Sequence, residues 1–163
     1  MAASPLPPEH GLVLQRAIRV HASPDRVMAA FFEPDDLAAW WEVSRSVTLP
    51  HPLGPFAVQW PPAEFIDEVL GRLGGTLHGI VMDYDPSASC FVADLYWHPP
   101  HGDPVGPMAL SIEARPVGDQ GTTEVAIRQS ADENGPRWER YFHVMGGVWD
   151  RALSALKAHV ERR

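Results

Sequence analysis

The stretch from Pro136 to Glu161 constrains this chain more than any other. At 3.6 residues per turn, Trp138, Tyr141, Phe142, Met145, Trp149, Ala152, Leu153, Leu156 and Val160 fall on one stripe, while Glu139, Arg140, His143, Asp150, Arg151, Lys157 and Glu161 fall outside it. The pattern predicts an amphipathic helix with Asn134 as N-cap and Pro136 in the first turn, where a missing N–H is no loss. Such a helix runs about 39 Å, too far for one neighbouring helix in so short a chain to cover its stripe. Its partner must be a broad surface, and the preceding residues read mostly as strands, so the stripe is expected along one face of an antiparallel sheet. Gly146 at the stripe's edge and Gly147 opposite it each cost about 1 kcal/mol relative to alanine inside a helix. Gly146 is therefore expected to leave room for a ligand or for a close-lying strand.

The 163 residues suffice for one domain with a real core. The expected division is a loosely held, Pro-rich N-terminus over residues 1–9 and a single domain over 10–163. A formal charge of −8 with no cluster of Lys and Arg argues against nucleic acid or an anionic membrane as partner. The single cysteine, Cys90, excludes an internal disulfide and suits a reducing compartment. The first residues lack the basic start and apolar run of a signal peptide, and no stretch approaches the roughly 20 apolar residues of a membrane span. The expected location is the cytoplasm.

Leu12 to Val20 alternates as a half-buried strand, with Arg16 interrupting its apolar face. Ser23-Pro24-Asp25 opens a short helix, and Pro34 ends it and starts another carrying Leu37, Trp40 and Trp41. Ser46–Leu49 and Phe56–Trp60 read as a hairpin. Residues 61–75 show a helix-like grouping of Phe65, Ile66, Val69 and Leu70, cut short by Gly71, Gly74 and Gly75. Thr76–Asp83, Cys90–His98, Pro107–Arg115 and Thr122–Gln129 then form an antiparallel meander. The sum is an α+β arrangement with the long helix on one face of the sheet.

The run ASPDRVMAAFFEPDDLAAWW resembles the start of proteins similar to the activator of heat-shock-protein-90 ATPase, within the SRPBCC or START-like superfamily. The likeness lies in Ser23-Pro24 to Val27, in Asp35-Asp36-Leu37 and in the pair Trp40-Trp41. His78-Gly79-Ile80-Val81 to Asp85-Pro86, Gly121-Thr122 to Ser130, and Gly147-Val148-Trp149 to Leu156 extend it over nearly the whole chain. The resemblance implies a helix-grip fold, START-like and Bet v 1-like: a curved antiparallel sheet wrapped around a long C-terminal helix, two short helices after the first strand, and a cavity between sheet and helix. Three departures stand out. Val148 precedes the tryptophan where the family has glycine, Gln129 occupies a position often held by His, and residues 61–75 are long enough to reshape the cavity mouth.

No phosphate loop, paired-cysteine metal spacing, HExxH or GxSxG is present. His98 and His101, flanking two prolines, would point the same way in an extended polyproline geometry, but with no third ligand a solvent-facing turn is the expectation, and no metal or other cofactor is expected. His78 is a candidate to project into the cavity. In the strand from Cys90, the face with Phe91, Ala93, Leu95 and Trp97 is taken as inward, leaving Asp94 outside with Tyr96. Gln129 shares a face with Val125 and Ile127, where a buried amide requires a partner or a ligand.

The leading expectation is a protein that binds a small hydrophobic or amphipathic molecule without chemistry of its own. Trp138, Phe142, Met145 and Trp149 would form the helix wall, Phe56, Trp60, Trp97 and Ile127 the sheet wall, with Trp40 and His78 beside them and Gln129 as polar anchor. One alternative is a cyclase- or aromatase-like enzyme using the same cavity, and another is an activator of a chaperone ATPase. The partner is thus a small ligand rather than nucleic acid or membrane, and the protein a monomer or homodimer.

Overall fold

A computed structural model describes residues 11–118 and 120–162, so the expectation for residues 1–9 lies outside the described residues. Its elements are β1 (Leu12–Val20), α1 (Pro24–Ala30), α2 (Pro34–Trp40), β2 (Arg45–Thr48), β3 (Pro55–Trp60), β4 (Ile66–Asp67), β5 (Gly71–Arg72), β6 (Gly75–Asp85), β7 (Ser89–His98), β8 (Val105–Val117), β9 (Thr122–Ala131) and α3 (Pro136–Val160). Seven strands make one antiparallel sheet in the order β1-β9-β8-β7-β6-β3-β2. The meander β6 to β9 is as the turns predict. β1 returns to pair with β9 at one edge, and the β2–β3 hairpin extends the other. The long helix lies against the sheet's concave face, with α1 and α2 closing one end, which is the helix-grip arrangement.

The core forms where the two periodicities meet. Val125, Ile127 and Gln129 alternate inward on β9, Leu110 and Ile112 on β8, and Phe142, Trp149, Leu153 and Leu156 on α3 cover them, all at 8 % exposure or less. The C-terminal end of α3 is tied to the short helices by polar contacts. The Arg26 guanidinium takes both oxygens of Asp36 at 2.9 and 2.8 Å, and His159 Nε2 lies 2.6 Å from the same carboxylate, so α1, α2 and α3 share one polar knot.

Some sequence expectations need correction. Asn134 does not cap α3; Gly135 does, with φ of 122° and no side-chain cap. Residues 61–75, with their grouping of Phe65, Ile66, Val69 and Leu70, form no helix. They make the small β4–β5 hairpin, because Gly71, Gly74 and Gly75 all adopt positive φ and Asp67 takes the Val69 and Leu70 amides at 3.0 Å. On β7 the inward face changes partway. Cys90 and Val92 point in, then a bulge with Asp94 at φ 52° shifts the phase so that Leu95 and Trp97 point in as well. Phe91 and Ala93, expected inside, are thus outside or only half-buried, whereas Asp94 is exposed as expected.

The glycine at 146 is explained by the strand. A Cβ there would meet Arg16 Nη2 at 2.7 Å and Leu14 Cδ1 at 3.8 Å, both from β1. Arg16, the residue that breaks the strand's apolar face, crosses the helix over Gly146 and donates from Nε to Asp150 at 2.8 Å. No ligand room exists beside Gly146.

Candidate functional site

A groove of about 700 Å³ runs along the flank of α3, between that helix on one side and α2, β3 and the β4–β5 hairpin on the other. Its helix wall is Tyr141, Val144, Met145, Val148, Ala152 and Ala155, which recur at helical spacing; Val144, Met145, Val148 and Ala155 are half-buried, whereas Tyr141 and Ala152 are buried. Facing them are Trp40, Trp41, Trp60, Trp97, Leu73 and Leu77, and charged groups stand at Glu42 and Arg151. The volume lies within the range of small-molecule sites, as does the lining, apolar with a few polar groups.

The indoles are held by one another and by the backbone. Trp40 and Trp41 stack with centroids 5.0 Å apart and planes 4° from parallel; Trp41 also packs edge-on against Trp60 and tilted over Trp149, at 5.0 and 5.2 Å. Trp40 Nε1 donates to the Ala30 carbonyl, Trp60 Nε1 to the Trp41 carbonyl and Trp97 Nε1 to the Gly74 carbonyl, each at 2.8 Å. The turn after α2 makes the second of these possible. Glu42 takes the left-handed conformation with φ 58°, and Val43 N–H reaches back to the Leu37 carbonyl at 3.3 Å, which ends the helix and presents Trp41 to the groove.

The β4–β5 hairpin is the lid of the groove. It contributes Leu70, Leu73 and Gly74 to the lining, while Phe65, Ile66 and Val69 stay exposed on its outer side. One ion pair fastens it to α3. Arg140 donates from Nε at 2.9 Å and from Nη2 to a single oxygen of Asp67, whose other oxygen holds the Val69 and Leu70 amides. The Asp67 side chain has no exposed surface, and the Arg140 guanidinium together with those amides lowers its carboxyl to about 2.

Of the residues singled out from sequence, Trp40, Trp60, Trp97 and Met145 line this groove. Phe56, Ile127, Phe142 and Trp149 are instead packed in the core beneath it, and Trp138 is half-buried against that core. The centre of the apolar stripe is filled by the sheet, so the open space lies to one side. Gln129 has its partner within the protein. Its Nε2 donates to the Tyr141 hydroxyl at 3.1 Å and approaches Met108 Sδ at 3.3 Å, while its Oε1 accepts from Trp149 Nε1 at 3.0 Å.

His78 points to the opposite, outer face. Its Nε2 lies 2.7 Å from that of His98, and Tyr96 stacks beside the pair. His98 therefore pairs with His78 rather than acting with His101, and no group of three or more metal-ligating side chains is assembled among the described residues. Burial, with a smaller contribution from Asp83, pushes the Cys90 thiol up to about 12, which leaves no thiolate for nucleophilic chemistry.

Trp41, Tyr141, Val148, Arg151 and the lid leucines were not singled out as site residues from sequence. A signal was present in Val144, Val148 and Ala155, smaller residues just beside the main stripe. No helix among the described residues is long and apolar enough to cross a membrane.

Comparison with solved structures finds the same fold at low identity. A protein of Rhodobacter sphaeroides matches with TM-score 0.68 and 20% identity over 90% of this chain and 90% of its own. One from Mesorhizobium loti gives 0.66 and 17% over 94% of this chain and 98% of its own, and the AHSA1 protein of Silicibacter pomeroyi gives 0.63 and 17% over 90% and 96%. A comparison with curated proteins gives no match. The model of the family described as polyketide cyclase / dehydrase and lipid transport matches residues 12–161, from the start of β1 to the end of α3. The chain belongs to that polyketide cyclase / dehydrase and lipid transport family.

Proposed function

We propose that this protein binds a small hydrophobic or amphipathic molecule in the groove beside α3 and carries out no chemistry on it. The observation behind this reading is the groove's construction: a space of about 700 Å³ walled by Trp40, Trp41, Trp60 and Trp97 and covered by a hairpin clamped through Asp67. Aromatic walls held this firmly lose little freedom when a ligand arrives, which favours binding. The protein acts in the cytoplasm as a monomer or homodimer.

Native mass spectrometry of freshly purified protein tests for a co-purified molecule directly. A panel of apolar ligands should also raise the melting temperature. Saturation at 100 times Kd contributes about 2.7 kcal/mol, or roughly 5–10 °C for a chain of this size. No shift across the panel, with no co-purified molecule, would sink the reading.

A cyclase- or aromatase-like activity in the same groove is the second reading, supported by the family's description and by the polar groups Glu42, Tyr141 and Arg151 in its lining. Formation of a new product from a bound polyketone, seen by mass spectrometry, would favour it. Activation of a chaperone ATPase, implied by the narrower resemblance, draws only a shared fold from the Silicibacter protein.

A further inference from the structure

The outer face of the sheet carries a pair of side chains that the groove does not use. Leu77 on β6 and Trp97 on β7 point inward, so alternation sends His78 and His98 out on the opposite face. His98 is the register partner of Thr76, two residues from His78, and the two imidazoles meet across the strands. Their centroids lie 4.7 Å apart with planes 16° from parallel, whereas the two Nε2 atoms are only 2.7 Å apart. Centroids so much further apart than the nitrogens belong to rings that meet edge to edge, with Nε2 foremost on each.

The strands hold this geometry. Thr76 pairs with His98 and Leu77 with Trp97, and Trp97 Nε1 fastens the end of the lid through the Gly74 carbonyl at 2.8 Å. Tyr96, the register partner of His78, fences one side. A Cβ at Gly106 of β8 would meet Tyr96 Cγ at 2.6 Å, so that strand is bare where the ring lies. On the other side, the register partner of His78 on β3 is Ala57, which places only a methyl group there. His98 is exposed and His78 half-buried, so the nitrogens are open to small ions from solvent.

A hydrogen bond between the rings uses one Nε2–H and one Nε2 lone pair. Neither Nδ1 has a hydrogen-bond partner among the described residues, so the donating ring can carry its proton on Nδ1 instead and free both Nε2 lone pairs. Neutral imidazole is the commonest metal ligand in proteins. Spacing then decides among metals. With a metal–nitrogen bond of about 2.0 Å, neighbouring ligands of a square or tetragonal ion lie about 2.8 Å apart, and tetrahedral ligands about 3.3 Å. The observed 2.7 Å is near the first arrangement and well short of the second. We propose that His78 and His98 form a surface site for a divalent transition metal of tetragonal geometry, copper(II) before nickel(II), with water in the remaining positions. The site stands apart from the ligand-binding reading, since it uses the other face of the sheet. Copper heads the affinity order for nitrogen donors. A structural zinc would ask for four protein ligands, and no third His, Cys, Asp or Glu joins the pair among the described residues. The net charge of −8 favours a cation at the surface.

The test is equilibrium dialysis of the untagged protein against CuCl2, NiCl2 and ZnCl2, each alone, with the bound ion counted by elemental analysis. Copper and nickel should each saturate one site per chain, and nickel should bind more tightly than zinc. His78→Asn and His98→Asn should each weaken both ions at least about tenfold, the least that removing even an outer partner of a metal site costs. His101→Asn, in the turn after β7, should bind as the wild type does. The electron paramagnetic resonance spectrum of the copper-loaded wild type should show hyperfine splitting from two imidazole nitrogens, and that of either variant from one. A melting curve verifies that each variant folds; should one fail, the other and the wild-type spectrum still decide. Unchanged affinity in both variants, or a wild-type spectrum without imidazole nitrogen, would overturn the site. Zinc bound more tightly than nickel would overturn the tetragonal geometry, and with it the choice of metal.

Discussion

Replacing Arg140 by Met tests the claim that one ion pair holds the lid. Methionine keeps most of the apolar stem and removes the guanidinium, leaving Asp67 with only the Val69 and Leu70 amides as donors. The Asp67 side chain is wholly covered whereas that of Arg140 is 39 % exposed, so the interaction lies between a surface pair and a buried one. Hydrogen bonds to a charged group contribute about 1.5–3 kcal/mol, and about 2 kcal/mol is a fair value for a half-open pair. The loss should be local, since Leu70 is the one lid leucine in the core and the sheet pairs without the lid. Hydrogen exchange reads this directly. Two kcal/mol corresponds to roughly 30-fold faster exchange at the Val69 and Leu70 amides, with strand amides of β8 and β9 unaffected and ligand affinity reduced. Exchange at those two amides within threefold of the wild type would refute the clamp.

Three further outcomes follow from the same geometry. Gly147→Ala should stabilise the protein by up to about 1 kcal/mol, or some 2–4 °C in a thermal melt, because the added Cβ meets only Arg151 Nη1 at 3.5 Å; Gly146→Ala should gain little, since it displaces the Arg16 guanidinium from Asp150. Glu42→Gly should raise the melting temperature through relief of the left-handed backbone at φ 58°, by an amount on the order of 1 kcal/mol, and a fall instead would mean that the glutamate has a partner of its own. The Asp67 carboxyl is lowered from 3.8 to about 2 and that of Asp36 is lowered chiefly by Arg26, so both contribute stability above 3.8 that is lost as pH falls towards the folded values. A melting curve against pH should accordingly decline below that value, and Asp67→Asn should flatten the decline; an equally steep acid limb in the variant would remove Asp67 from the explanation.

The long helix, the two short ones and the meander were legible in the sequence because each rests on a periodicity that tertiary contacts merely complete. Trp149 and Leu156 had to be covered, and Val125 with Ile127 had to cover something. The groove was less legible, for a physical reason. An apolar stripe shows which helix face leaves water, but not which part of it meets protein and which part meets space. Trp149 and Phe142 went to protein, while the less conspicuous Val148 and Ala152 went to the groove. The β7 strand shows a second limit, since strict alternation carried through Asp94 places Phe91 inside, and only the bulge reverses it. The role of Gln129 was half visible: a buried amide demanded partners, but that these are Tyr141 and Trp149, both on α3, needed the fold.

The lid has a topological consequence. Trp60 and Gly75 are register partners at the ends of β3 and β6, so residues 61–74 leave the sheet and return to the place they left. In connectivity the lid is an overgrown hairpin turn. Because closure cost rises only slowly with loop length, this excursion can lengthen, shorten or be exchanged for another between lineages while the seven strands keep their pairing. Selectivity carried by the lid is then free to drift separately from the stability carried by the helix and the sheet, and a transplanted hairpin from a relative is the natural way to re-target the groove.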